Sequence, residues 1–306
     1  MKIMRAHAVA LSAFYSIAAA VAAGDVQPVD REAHAAEIRS WRSQRLAGLT
    51  NENGWLTLVG LYWLKPGENT LGRAPGNTIV LDHPGLARAA GSFVLEHDQV
   101  RFQALPESGI TLDGEPVTQF DLKPDTSGAP TVLASGTLRF LIIERAARLG
   151  VRVRDVEHPL RTHFAGPDYF PVDPEWARPA QFHAYVPVKR IPIVNVLGMI
   201  IDMDSPGYLT FEAAGREWRL DALSEGADAE ELFLMFADAT SGRETYGAGR
   251  FLYVPLPEAG KVLVDFNKAY NPPCAFNEFA TCPLPPQQNR LSLRVEAGER
   301  SYQAAH

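Results

Sequence analysis

The sequence predicts an all-β protein carrying one N-terminal helix. Three observations lead there. Short runs rich in β-branched and aromatic residues recur along most of the chain, clusters of Gly, Pro, Asn and Asp separate them, and a single stretch places apolar residues at helical spacing. With 46% hydrophobic and 21% charged residues over 306 positions, the chain has the composition of a globular protein and the length for one large or two small cores.

The elements follow in order. MKIMRAH carries Lys2 and Arg5, AVALSAFYSIAAAVAA is uncharged and apolar, and Ala20-Val21-Ala22 offers the small residues a signal peptidase needs. That is the three-part pattern of a secretory signal over residues 1–23, and its apolar run falls short of the ~20 residues that span a bilayer. The expectation is a periplasmic or secreted protein with no transmembrane segment after signal cleavage. With Lys2 and Arg5 removed, 27 of the 29 basic residues stay, against 36 acidic ones. An acidic, mixed surface without basic clusters argues against nucleic acid as a partner.

Residues 24–53 hold the helix. Asp30 reads as its N-cap, Ile38, Trp41 and Leu46 fall near helical spacing, and Gly48 marks its stop. GWLTLVGLYWL, ended by Lys65-Pro66-Gly67, opens a first β unit over residues 54–155. Its short strands and tight turns, such as Asp113-Gly114, predict an antiparallel sandwich. Periodicity is lost from Asp155 to about Arg190 in a Pro-rich stretch, read as a crossing segment. A second antiparallel sheet or barrel completes residues 156–306, with NRLSLRVEAGE as its last strand.

FNKAYNPPCAFNEFATCPLPP, residues 266–286, crowds two Cys and five Pro into one loop. Export to an oxidising compartment makes a Cys274–Cys282 disulfide the first reading, worth about 2–3 kcal/mol through the chain entropy of the loop it closes. Zinc would need about four ligands, and this segment holds no His. Elsewhere His158 and His163 are spaced five apart, which aligns them on neither a strand nor a helix. No metal and no cofactor is expected.

Chemistry is expected beside this loop. GRFLYVPLPEAGKVLVDFN reads as a hairpin in which Leu256 faces Lys261 and Arg250 faces Asn267. Arg250, Leu252, Val254, Leu263, Asp265 and Asn267 then share one face, and Arg250 lies diagonal to Asp265. The flanking segments bring Arg243, Tyr246, Tyr270, Asn271 and Glu278 to the same end. In the catalytic reading Asp265 or Glu278 is base or acid, and Tyr246 and Arg250 steady an anion. Asn267, Asn271, Arg243 and Tyr270 would bind the ligand. The structural alternative is an Arg–Asp pair with Asn side chains satisfying loop backbone.

Leu71-Gly72-Arg73, Asn77 to Leu81 and Leu112-Asp113-Gly114-Glu115-Pro116-Val117 make the first unit resemble a forkhead-associated domain, a β-sandwich that reads phosphothreonine. That family places Ser-x-x-His where this chain has Ala87-Arg88-Ala89-Ala90, so the resemblance carries the fold and no phosphothreonine. GWLTLVGLYWL, FPVDP, IPIVNVLG, SGRETYGAGRFL, DFNKAYNPPCAF and TCPLPP together resemble domain-of-unknown-function family 1684 across almost the whole mature chain. That resemblance implies no reaction. Two functions stay open: an exported, metal-independent hydrolase or lyase with its site in the second unit, or a binding or scaffold protein presenting the stapled 271–286 loop. Either would act on a small molecule, glycan or peptide.

Overall fold

A computed structural model describes residues 30–302, so the segment read as a secretory signal lies outside the described residues. Asp30 caps helix α1 (Arg31–Thr50), its carboxylate accepting from the amides of Glu32 and Ala33 at 3.0 and 3.3 Å. The helix runs past Gly48 to Thr50, because Leu49 is buried and keeps the last turn packed.

The first unit holds β1 (Leu58–Trp63), β2 (Gly67–Gly72), β3 (Ile79–Val80), β4 (Gly91–Glu96), β5 (Gln99–Ala104), β6 (Thr111–Leu112), β7 (Glu115–Pro116), β8 (Gln119–Leu122), β9 (Val132–Ser135), β10 (Leu138–Arg145) and β11 (Arg148–Asp155). They form a six-stranded sheet in the order β1-β11-β10-β9-β6-β7 and a five-stranded sheet in the order β3-β2-β4-β5-β8. Leu71, Phe93 and Phe102 of one sheet pack against Phe140, Ile142, Val151 and Val153 of the other. Alternation along each strand supplies that apolar layer. Asp113 and Gly114 turn β6 into β7 with φ of 51° and 87°, the left-handed pair that a two-residue hairpin demands.

The second unit is a nearly closed barrel of β12 (Ala177–Val194), β13 (Ile200–Ala213), β14 (Arg216–Ser224), β15 (Glu231–Phe236), β16 (Arg250–Pro255) and β17 (Lys261–Asp265), in the order β16-β15-β14-β13-β12-β17. Its interior holds Leu232, Leu234, Phe236, Leu252, Val254, Val262, Val264 and Phe266. A fully buried side chain of this kind contributes about 1.5–3 kcal/mol.

Three expectations are corrected here. The second half of the Pro-rich stretch is not a crossing segment but part of β12, an 18-residue strand. Pro187 is accommodated because it falls where the β12–β13 register jumps between Ala184 and Lys189, so no ladder bond is lost there. NRLSLRVEAGE makes isolated bridges rather than a strand, although Leu291, Leu293, Val295 and Ala297 alternate inwards as a strand would. It plugs the barrel instead of widening it.

The third correction concerns the hairpin. β16 and β17 are the two edges of the sheet, not partners. They meet past the end of β17, where Phe251 and Tyr270 exchange backbone hydrogen bonds of 2.9 Å, four residues beyond the expected register. Leu252 and Val254 share the barrel interior with Val262, Val264 and Phe266, while Leu263 is 45% exposed. Inward and outward positions on β17 are exchanged relative to the expectation, because β17 takes its facing from its ladder with β12 and a turn at Phe266–Lys268 separates it from the Phe251–Tyr270 bridge. Arg250 points into the barrel and Asp265 points out.

Candidate functional site

Because Leu232, Leu234, Leu252 and Val254 face the barrel core, Phe233, Phe251 and Tyr253 face the opposite side of β15 and β16. Phe233 is the register partner of Tyr253, and their rings stack at 4.9 Å. The Phe251–Tyr270 bridge brings Tyr270 alongside, stacked on Tyr253 at 6.3 Å and edge-on to Phe251 at 5.9 Å. The result is a continuous aromatic wall.

This wall bounds a cleft of about 400 Å³ to which five other parts of the chain contribute. Arg45 comes from α1, Trp55 from the turn before β1, and Arg145 from the end of β10. Asn195, Ile201 and Met203 come from the β12–β13 hairpin, and Pro273, Thr281, Cys282 and Pro283 from the loop beyond the barrel. Cys274 and Cys282 form the expected disulfide, with their Cα atoms 6.1 Å apart. The loop is also sewn to the hairpin: the Leu284 amide donates to Val194 O at 2.8 Å and the Val196 amide to Cys282 O at 3.0 Å. A rigid loop thus forms one side of the cleft.

The polar groups divide into paired and unpaired. Arg45 lies 4.5 Å over the Tyr270 ring, donates from Nε to Glu299 at 2.9 Å and from Nη2 to Asn271 O at 2.9 Å. Arg145 pairs with Asp125 at 2.8 Å. At the rim, the Tyr253 hydroxyl donates to Glu225 at 2.7 Å. Burial pushes the hydroxyls of Tyr253 and Tyr270 well above their ordinary value, so both stay protonated donors at neutral pH. Arg152 and Arg154 lie 5.4 and 5.9 Å from the Trp55 ring, behind the cleft wall. Burial, then the like charges of Arg145 and Arg154, lowers Arg152 to about 10.

The residues singled out from sequence are distributed differently. Arg250, 0% exposed, pairs with Asp238 at 3.2 Å and donates to the carbonyls of Val295, Ala297 and Glu299. Its guanidinium supplies the donors that a neighbouring strand would otherwise give the terminal segment. Asp265 pairs instead with His34 of α1 at 2.7 Å and accepts from Asn267, so the expected Arg250–Asp265 contact does not form. Asn271 is buried against Glu299 and Arg300 O, and Tyr246 donates to Cys274 O at 3.2 Å. Arg243 and Glu278 are exposed and line no part of the cleft. Of the candidate catalytic and binding residues, Tyr270 alone reaches it. Arg45, Trp55, Arg145, Asn195 and Tyr253 were missed, and the one signal for them was the outward alternation of Tyr253.

Residues 162–300 match the model of a family described as "Protein of unknown function (DUF1684)". The match covers less than half of the chain, and over this region the chain resembles that family. The DUF1684 region holds the barrel from β12 onward and the stapled loop. It begins well after GWLTLVGLYWL, so the match does not extend over the whole mature chain as the resemblance implied. Arg45, Trp55 and Arg145 lie outside it, and the cleft is built jointly by the DUF1684 region and the residues before it. The solution NMR structure of an uncharacterized protein from gene locus rrnAC0354 of Haloarcula marismortui is 31% identical to this chain, covering 46% of it and 78% of that protein, with a TM-score of 0.40. No curated protein matches the chain. Among the described residues, no helix is long and apolar enough to cross a membrane.

Proposed function

We propose that this is an exported protein that binds a small organic molecule in the cleft between the sandwich, the barrel and the stapled loop. One observation carries the reading: a 400 Å³ concavity whose walls are stacked aromatic rings, with a few polar groups aimed at its rim. That mixture of a largely apolar lining and sparse directional donors is what small-molecule sites have in common. The disulfide and the N-terminal apolar segment support a periplasmic or secreted location. The first unit is best read as a forkhead-associated-like sandwich that serves as scaffold, with Arg73 exposed and Ala87 and Ala90 in place of phosphate-reading groups.

A thermal-shift and tryptophan-fluorescence titration against aromatic acids, sugars, sugar acids and short peptides tests the reading. At least one class should raise the melting temperature, and Met203→Trp, which fills the cleft, should abolish that shift. If no class binds, or if binding survives Met203→Trp, the cleft is not a ligand site.

A hydrolase or lyase is the second reading, favoured by the 2.7 Å Tyr253–Glu225 hydrogen bond at the rim. It supplies a protonated hydroxyl beside a carboxylate, as acid–base chemistry requires. The carboxylates that are shifted, Glu37, Asp155 and Glu244 among them, move down, which suits them poorly as general acids. Turnover of an ester, glycoside or peptide panel that is lost in Tyr253→Phe and Glu225→Gln would favour the enzyme.

A further inference from the structure

Arg152 lies on β11 with 3% of its surface exposed. Among the described residues no carboxylate pairs with it. Its Nε is buried without a partner, and its side chain makes one long hydrogen bond, 3.5 Å from Nη2 to Thr281 Oγ1. Asp125, which attracts it from a distance, is already held by Arg145. Arg154, two residues along the same face, donates only to neutral acceptors, Gly54 O and Thr57 Oγ1. A buried cation without its counter-ion is costly, and proteins keep one where something else supplies the negative charge. Thr281, Trp55 and Arg145, the groups around Arg152, all line the cleft.

We infer that the cleft takes an organic oxyanion, a carboxylate in the first instance, whose charged end replaces the long Arg152–Thr281 contact while its apolar body stacks on the tyrosine wall. The inference rests on the cleft being a ligand site and names the ligand's chemical class. A planar guanidinium with free N–H groups matches a carboxylate in a bidentate geometry. Thr281 offers a hydroxyl beside it. The aromatic wall of Tyr253 and Tyr270 sets the other end of the ligand as flat and apolar.

The test is calorimetric titration of the full mature protein with phenylacetate, indole-3-acetate and naphthalene-2-carboxylate. Each is paired with its primary amide, and phenyl phosphate is an added arm. At least one acid should bind about tenfold or more tighter than its amide, the margin expected of a charge-assisted pair. Arg152→Met should erase that preference, and Arg152→Lys should keep part of it. Tighter binding of phenyl phosphate than of the acids also supports the oxyanion and identifies it as a phosphate. Because Arg152→Met removes an uncompensated buried charge, its melting temperature should equal or exceed that of the wild type. A fall of several degrees, or failure to fold, would show Arg152 to be structural and overturn the proposal. Amides that bind as tightly as acids, with binding lost in Met203→Trp, overturn the anion while leaving the cleft reading intact. If acids bind and Arg152 matters but Met203→Trp has no effect, the cleft reading falls instead. No binding by any acid or by phenyl phosphate overturns the oxyanion, and the cleft reading is then decided by the sugar and peptide arms of the thermal-shift titration.

Discussion

Arg250→Met tests whether the buried guanidinium closes the barrel or serves the site. The change removes a pair with Asp238 at 3.2 Å in which neither side chain is exposed. It also removes the donors to Val295 O at 2.9 Å and to the carbonyls of Ala297 and Glu299. Asp238 keeps its bonds from the Val295 amide at 2.8 Å and the Thr240 hydroxyl at 2.8 Å, but its charge loses its counter-ion. Methionine fills much of the volume, so the cost is electrostatic rather than a cavity. Breaking a buried pair by removing one partner costs about 3–5 kcal/mol. For a chain of this size that corresponds to a fall of roughly 6–20 °C in melting temperature. Urea denaturation and scanning calorimetry should be run on Arg250→Met, Asp238→Asn and the double variant. The double variant should be less destabilised than the two singles added together, by about 1–3 kcal/mol. A melting temperature within two degrees of wild type, combined with lost ligand binding, would refute the structural role and return Arg250 to the site.

Three other outcomes are expected. Intact-mass analysis of the protein purified without reductant should find no thiol open to alkylation before reduction, and Cys274→Ser with Cys282→Ser should cost about 2–3 kcal/mol; two free thiols would contradict the bridge. Glu37 is held below its ordinary value of 4.5 first by the hydrogen bond from Lys268, so its contribution exists above that value and is lost as pH falls through the lowered folded one. Glu37→Gln should therefore cost less than about 1 kcal/mol at pH 7 in low salt, because the pair is largely solvent-screened, and nothing in strong acid; a cost that persists in acid would rule out the ion pair as its source. A phosphothreonine peptide library should show nothing tighter than about 1 mM, and micromolar binding lost in Arg73→Ala would overturn that expectation.

The local grammar of the chain was legible from residues alone. Asp30 names the helix start because a side-chain carboxylate can reach its own next amides. Asp113-Gly114 names its turn because few pairs tolerate left-handed backbone twice. Runs such as Leu232-Phe233-Leu234 and Leu252-Tyr253-Val254 declare strands, and two Cys in a short loop declare a staple. What alternation cannot declare is which strand lies next to which, since any edge offers the same donors and acceptors. Arg250 and Asp265 illustrate it. They look like neighbours when β16 and β17 are folded onto each other, yet the strand order puts four strands between them along the sheet and turns one side chain inwards and the other out. The cleft was invisible for a related reason. Arg45, Trp55, Arg145, Asn195 and Tyr253 are more than two hundred residues apart at their extremes. They become one surface because the sandwich, helix and stapled loop bury their apolar faces against the same side of the barrel. The periodicity of the chain determined what each segment would bury, and only the packing of those faces decided which unburied groups would meet.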